Sequence, residues 1–530
     1  MKKHVFLFLS LLPVMASAEV INGINYTFKG INYTLDAEKQ TAEVVNGTYK
    51  GKVSIPDTVV SAETKYAVKS IAKNAFYGCS KLDTLEIPAT VDSIGAGAFY
   101  SLRNLKRISV GQNPDVADED VIYEARGNAL IERASKKLIL GCQTTLIPGD
   151  VESIASYAFG GCSQLDTLLI PAGVKYIAPE AFVSCSGLKS IQVAEGNAVY
   201  EATGNTLVET ATKKLVLGCQ TSKIPADVTE IGKLAFYGCT TLDTLVIPAR
   251  VKAIGQDAFY GCRNIESIEV YEENPVYSGQ GNALIEGTKL ILGCKNSNIE
   301  EMVNVDSIAS YAFGGCSGLD TLKIPVSVKY IASDAFAACS GLDTIIVADE
   351  NTVYEGNGSA IIEKATKTLI LGCKNTKIPE DVKAIGKMAF YGCAGLDSIC
   401  LPASIDSIAV AAFYDCHNLK KVVSLIEDPF KFGRDAFSYI SAACTLTVPN
   451  GKMRDYKAKG WNSDVFQGIV EAEASVEDGE SSEVAGRYVT GITGIEATAK
   501  RSVYYDLQGR FVKNPGKGLY IVNGKKVMMK

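Results

Sequence analysis

Histidine is nearly missing from this chain: 530 residues hold two, His4 and His417, alongside a single tryptophan, Trp461. His4 falls within a segment read below as a leader, so the exported chain would keep one imidazole. A Ser-His-Asp hydrolase would have to be built on His417 alone, and a His-rich metal centre is excluded. No phosphate-cradling GxxxxGK[ST] loop and no dinucleotide fingerprint occurs. Basic clusters are absent too: 53 Lys and Arg stand against 59 Asp and Glu, a formal net charge of −6. That balance argues against nucleic acid and against anionic membrane surfaces as partners. Beyond the first residues no run of about 18 apolar side chains offers a membrane span. Cofactor, metal and catalytic residues are therefore all expected to be none, and the chain is not expected to be an enzyme. A carboxylate pair of the glycosidase kind would need acids outside the pattern. Asp83, Asp166, Asp243, Asp320, Asp343 and Asp397 instead recur after the same Leu, as solvent-facing structural residues.

What the chain has is one phrase, repeated. IAKNAFYGCSKLDTLEIP at 71 to 88 returns as IASYAFGGCSQLDTLLIP at 154 to 171 and as IASYAFGGCSGLDTLKIP at 308 to 325. Phe159, Phe236, Phe313 and Phe390 lie 77 residues apart, and Phe182, Phe259, Phe336 and Phe413 keep the same step. Each block holds two 23-residue units and a longer one carrying GNALIERASKKLILGC (127 to 142) or a variant, as at 281 to 294. Blocks starting at Ile71, Ile231 and Ile385 carry AFYGC whereas those at Ile154 and Ile308 carry AFGGC, so a second period of 154 residues runs through the chain. Tandem units that cannot bury their own apolar face stack into a solenoid, whose function is carried by a long surface.

In LDTLxIP, Leu85 and Ile87 alternate with Thr84 and Glu86 as in a short strand. Each unit thus gives one strand to a long sheet, ended by Pro88 and its equivalents Pro171, Pro248, Pro325 and Pro402. The IASYAF segment is expected to return as one turn of helix or 3-10. Eleven Phe-bearing turns from Phe76 to Phe437 and four hairpin-bearing turns would stack, at about 4.8 Å per strand, into a curved rod with one sheet on the order of 70 Å long. The fold class expected is an α/β repeat solenoid with β-hairpin insertions and a small C-terminal β module.

The AFxxCxxLxxIxIPxxV core resembles the BspA-type leucine-rich repeats, and GNALIExxxKKLILGC is similar to that family's interrupting hairpin. The resemblance covers roughly residues 50 to 470. It implies the leucine-rich-repeat fold strongly, and attachment to other surfaces only loosely, because family members bind diverse partners.

Both ends are legible. Lys2 and Lys3, an apolar run from Val5 to Val14 and Ala16-Ser17-Ala18 before Glu19 read as a signal peptide over 1–18. GINYT recurs at 23 to 27 and 30 to 34, marking 19–60 as a β cap for the repeats at 61–470. EAEASVEDGESSEVAG (471–486) reads as an acidic linker. The remainder, 487–530, reads as a β module with strands at Val503 to Leu507 and Gly518 to Val522 and a tight Asn523-Gly524 turn. Its YDLQGR, GLYIV and lysine-rich end resemble the C-terminal sorting domains of the type IX secretion system, which implies export across an outer membrane.

Fifteen cysteines in an exported chain ordinarily suggest disulfides. Nearly all occupy one repeat position, where stacked Cβ vectors run parallel and fit disulfide geometry poorly, so they are expected to be buried free thiols. Cys400 breaks the register and should face outward. On the strand face the outward positions read Thr84, Thr167, Thr244, Thr321 and Ser398 in the first units, and Arg107, Ser190, Ser267, Thr344 and Lys421 in the second. Tyr77, Tyr100, Tyr237, Tyr260, Tyr391 and Tyr414 follow the repeat Phe and would form three exposed pairs along one edge. They are the ligand-binding candidates, against the plainer reading that they pack onto neighbouring turns. Two functions follow: a secreted or cell-surface, adhesin-like protein binding protein ligands on host or neighbouring cells through several repeats at once, or a carbohydrate-binding accessory protein of the outer membrane. Either is expected to be monomeric and extracellular, with no block chemically special.

Overall fold

The computed structural model describes residues 24–302 and 304–472, together with the backbone of four strands between 504 and 529. The segment read as a signal peptide, 1–18, lies outside the described residues, as does the segment read as a linker, 471–486, beyond its first two positions. Two compact units divide at Val470 and Glu471.

In the larger unit an ordinary turn has two pleated sides. Thr167–Ile170 is alternately exposed and buried, and pairs in parallel with Ser190–Val193 of the next turn, Thr167 opposite Ser190. On the opposite side the two-residue strand Ser153–Ile154 pairs in parallel with Tyr176–Ile177. Between the sides the phenylalanines stack: ring centroids are 5.1 Å apart for Phe159 and Phe182, 5.4 Å for Phe236 and Phe259, and 4.9 Å for Phe390 and Phe413. Leucines and isoleucines of the strands pack around them in contiguous buried clusters, which is how units that bury too little alone become stable together.

The return segments are tighter than the helical turn expected from spacing. Each is a chain of β-turns, as in Ala158 N–H to Ala155 O, Gly160 N–H to Tyr157 O and Cys162 N–H to Phe159 O. Intervening amides bond to the next turn instead, Phe159 N–H reaching Ala181 O at 2.8 Å. A residue with positive φ stands before Ala-Phe in most returns (Tyr157 61°, Leu234 60°, Tyr311 55°) and stops a right-handed helix from propagating. Among the described residues, 3-10 helix occurs only at Asp118–Asp120 and Ile299–Glu301.

The hairpin turns also depart from the single long sheet. At each one the strand ladder is interrupted, so the strands fall into short sheets, and side chains bridge the break. Asn205, at positive φ in the hairpin bend, accepts from Ile191 N–H at 2.8 Å and donates to Lys189 O at 2.6 Å, taking the place of a strand backbone. Asn128 and Asn282 do the same for Ile108 and Ile268. On the other side, the Tyr200 hydroxyl accepts from Ile177 N–H at 3.1 Å, and that of Tyr354 from Ile331 N–H at 3.0 Å, ending those two-residue ladders. The hairpin's third strand, Lys214–Leu217, then starts the next ladder by pairing with Glu230–Ile231.

Both ends of this unit are closed. Antiparallel strands Ile24–Phe28, Ile31–Asp36 and Thr41–Val44 cover the first turn, as the GINYT repeats suggest. Tyr49 heads the phenylalanine ladder, 4.7 Å from Phe76. At the other end the helix Met453–Ala458 is followed by Trp461, fully buried, with its indole N–H donating to Phe430 O at 2.7 Å and its ring against Phe432 and Phe437. In the smaller unit, Tyr504–Tyr505, Phe511–Val512, Gly518–Val522 and Lys525–Met529 form an antiparallel sheet. Val522 stands opposite Lys525; the tight turn expected at Asn523-Gly524 lies outside the described residues.

Candidate functional site

Strand pleating fixes what the long-strand side presents. Core residues such as Leu168 and Ile170 point in, and the residues between them point out in rows: Thr167 beside Ser190, Thr244 beside Ser267, Thr321 beside Thr344 and Ser398 beside Lys421. Thr167, Thr244 and Thr321 are exposed and their partners half-buried. A second outward row, two residues further on, was not singled out in the sequence. It reads Glu86, Leu169, Val246, Lys323 and Cys400 on first units, and its Leu169 and Ile346 are exposed aliphatics spaced apart by polar residues. This side offers many hydrogen-bonding groups and few of the Trp, Tyr or Arg anchors that dominate tight interfaces.

The six tyrosines come together in the order expected, but as parts of triads. Tyr77 and Tyr100 lie 5.5 Å apart, and Tyr100 touches Tyr157 at 5.0 Å; Tyr237, Tyr260 and Tyr311 follow at 5.0 and 4.8 Å, and Tyr391, Tyr414 and Tyr439 at 5.0 Å each. The third member comes from another repeat position, a Tyr two residues before the Phe in IASYAF, or one two residues after it at Tyr439. Reading one register at a time hid it. Only Tyr77 of the six is exposed, at 53 %, while the other five are half-buried. Their rings cover small residues across the block boundary: a Cβ on Gly160 would lie 2.6 Å from the Tyr100 ring. This contact gives the alternation of AFYGC and AFGGC a physical basis, since one block supplies the ring and the next leaves room for it. Burial raises the hydroxyl pKa of Tyr237, Tyr260 and Tyr391, and pushes Tyr414 up to about 12.

Tyr176 and Tyr330, which sequence reasoning passed over, stand on the short-strand side at 57 % and 60 % exposure. Their spacing by the 154-residue period was the available signal. His417 is exposed, 3.6 Å from Asp415. The cysteines at the repeat position are free and buried, apart from the half-buried Cys262, and Cys400 is exposed as its broken register predicts. Its neighbours nevertheless raise its thiol pKa by partial desolvation, so it is accessible without being activated. Among the described residues no group of three or more His, Cys, Asp or Glu is arranged to hold a metal, and no helix is long and apolar enough to cross a membrane.

Against known proteins, a family model described as "BspA type Leucine rich repeat region", in 6 copies, matches residues 50–126, 139–207, 213–282, 287–358 and 363–459. Solved structures that resemble the chain include a leucine rich cell surface protein from Faecalibacterium prausnitzii, at 22% identity over 85% of this chain and 96% of that one, TM-score 0.33. A leucine-rich repeat protein from Bacteroides ovatus aligns at 22% identity over 85% and 100%, TM-score 0.26. The pneumococcal vaccine antigen PcpA aligns at 15% identity over 86% and 100%, TM-score 0.31. Among curated proteins nothing matches.

Proposed function

The chain belongs to the BspA-type leucine-rich repeat family, and from that premise we propose that it is an exported, surface-displayed binding protein that engages a protein ligand through several turns at once. One observation carries this reading. Within each block the outward residues pair in strict register, Thr167 opposite Ser190 and Thr321 opposite Thr344, and the pair recurs beyond each hairpin turn, so an extended partner meets similar hydroxyls repeatedly. Weak contacts joined in this way gain through effective concentration without any strong single one. The tyrosine triads along the return edge, led by the exposed Tyr77 and by Tyr237, Tyr260 and Tyr391, supply the anchors that the hydroxyl rows lack. The 487–530 segment serves as a type IX sorting signal in this reading, and its removal leaves the repeats in the periplasm.

The test compares edges on the full chain. Against a panel of purified extracellular-matrix proteins, Tyr237→Ala with Tyr260→Ala should weaken the best binder by about tenfold, ~1.4 kcal/mol. Tyr176→Ala with Tyr330→Ala, on the short-strand side, should leave it unchanged. The reverse pattern would transfer the binding role to the short-strand side, and absence of any binder in the panel would remove the reading.

A further inference from the structure

The hairpin turns cut a notch into the return edge. In an ordinary turn the chain runs from Ile231 to Cys239 before the next strand, whereas in the hairpin turn it runs only from Leu215 to Cys219. Gly218 N–H bonds directly to Ala235 O at 2.8 Å, so the shortened segment lies inside, and the flanking returns meet over it in places, as where Ser101 N–H donates to Gly160 O at 2.9 Å, leaving a gap beside the contact. Between the third and fourth blocks the gap is a cleft of about 260 Å³ whose lining includes Gln256, Asp257, Tyr260, Glu286, Lys289 and Tyr311. Tyr260 and Tyr311 meet edge to face, 4.8 Å apart at 85°, and make a right-angled aromatic corner.

The residues that matter here are not repeated elsewhere. The positions of Asp257, Tyr260, Tyr311 and the nearby Asp334 are filled by Gly97, Tyr100, Tyr157 and Glu180 one pair of blocks earlier, and by Glu180, Val183, Leu234 and Asp257 at the intervening boundary. Aromatic corner and aspartates coincide at one notch, which corrects the expectation that no block is chemically special. Lys233, the base that most offsets Asp257, is held by Glu180 at 2.9 Å. Burial first, and Asp334 in addition, raise the Asp257 carboxyl above its ordinary pKa, against the opposing Lys233 charge and a hydrogen bond from Gln256.

We propose that this notch is a saccharide subsite, seating one sugar ring of a neutral oligosaccharide on the Tyr260–Tyr311 corner, with its hydroxyls bonded by Asp257, Gln256, Glu286 and Lys289. The lining mixes acceptors and donors, with the exposed Lys289 on its wall and Arg263 acting on Tyr260 from beside it. A purely cationic or anionic ligand would therefore meet like charge, whereas a neutral polyol is served by both kinds of group. Tyr237 already stacks on one face of Tyr260, 5.0 Å away, so in this proposal the apolar face of a pyranose rests on the Tyr311 side of the corner, as another flat apolar surface would. The volume lies below the roughly 300 to 1,000 Å³ of clefts that hold drug-sized ligands, which limits the occupant to about a single ring.

The subsite shares Tyr260 and Tyr311 with the triad that anchors the protein ligand and nothing with the hydroxyl rows, so its test rests on Asp257 and Tyr311, which the protein-binding test leaves untouched. The full chain is screened on an array of neutral gluco-, manno- and galacto-oligosaccharides, and the best binder is titrated calorimetrically. Asp257 has a φ of 55°, so Asp257→Gly removes the carboxylate from a backbone that glycine adopts readily. That variant and Tyr311→Ala should each lose about tenfold or more in affinity, with melting of Asp257→Gly close to that of the parent. Tyr157→Ala, at the notch without the aspartates, should bind as the parent does. An array without hits, equal binding by Asp257→Gly, or an equal loss in Tyr157→Ala would each overturn the subsite. A blank array together with a matrix-protein hit would overturn it while leaving the repeat-surface reading in place.

Discussion

An ordinary turn and a hairpin turn solve the same stacking problem with different bonds. The ordinary turn is held by backbone and core alone: strands in register, one Phe ring on the next, and a thiol, such as that of Cys185, donating to the carbonyl of Phe159 in the turn before at 3.2 Å. Its outward residues are free to vary, because none of them holds the fold. The hairpin turn relies on side chains. Asn205 substitutes for a strand, Tyr200 caps a ladder, and Asn197 accepts from Val199 and Tyr200 N–H while donating to Pro171 and Val174 O. Specific chemistry gathers where backbone pairing is interrupted, and the Asp257 notch lies at such an interruption.

The comparison breaks most severely in alkali. Burial holds the ordinary-turn thiols in their neutral form, raising Cys162, Cys262 and Cys393 from 9.0 to about 12 and Cys316 to about 11. A thiol whose folded pKa exceeds its unfolded one stabilises fully below pH 9 and loses that contribution as pH rises toward 11 or 12, because only the unfolded chain gives up the proton. Each such thiol costs about 1.4 kcal/mol per pH unit in that window, and several titrate together. Circular dichroism across pH 8 to 12 should therefore show steep unfolding above pH 9. Replacing Cys162, Cys262, Cys316 and Cys393 by Ala should flatten it in part, since Cys185, Cys239, Cys339 and Cys416 are also raised well above 9.0 by burial, and an unaltered alkaline transition in that variant would exclude those four thiols as its cause.

Core truncation comes next. Phe236 is fully buried, stacks on Phe259 and fills the space over Gly218, whose Cβ, if present, would lie 2.1 Å from the ring. Phe236→Ala should cost about 3 to 5 kcal/mol, since the fixed neighbours cannot collapse into the cavity. The loss should show in hydrogen exchange as reduced protection over the turns next to residue 236 and little change near the two ends. Uniform deprotection would mean that the repeats unfold as one body.

What the sequence made legible was whatever repeats: Phe ladder, strand alternation, thiol position, Cys400 out of register, and hairpins. Tyr157 and Tyr311 were missed because they join their triads from a different position of the repeat, across a hairpin turn, and periodicity compares only like positions. Asn205 lies in a hairpin insertion that the repeat marks, but its part as a strand mimic is not legible there, since its partners, Ile191 and Lys189, belong to the preceding turn and nothing local signals them. The same limit applies to the cysteines. Reading them as small apolar fillers anticipated their burial and left out the bond that Cys185, Cys262, Cys339 and Cys416 make to the Phe carbonyl one turn earlier.

The finest test uses a difference the chain itself contains. The first three hairpin bends carry Asn128, Asn205 and Asn282, while the fourth has Ser359 at the same left-handed position, with a φ of 56°. Ser359 makes no bond like that of Asn205 to Ile191, and what remains is the contact from further along the hairpin turn, Asn375 donating to Asp343 O at 3.3 Å as Thr221 does to Lys189 O. Asn205→Gly keeps the backbone at ease and removes only the bridge, leaving the Ile191 amide without its acceptor, so it should cost about 1 to 3 kcal/mol. Ser359→Asn should do the opposite and gain about 1 kcal/mol, because asparagine tolerates the left-handed region and restores the bridge. Paired denaturant titrations would read both. If Ser359→Asn destabilises while Asn205→Gly is neutral, the strand-substituting role of the asparagine is wrong and the hairpin turns are held by their own antiparallel pairing. If both shift as expected, the fourth hairpin turn is the weakest joint among them, and hydrogen exchange should begin there.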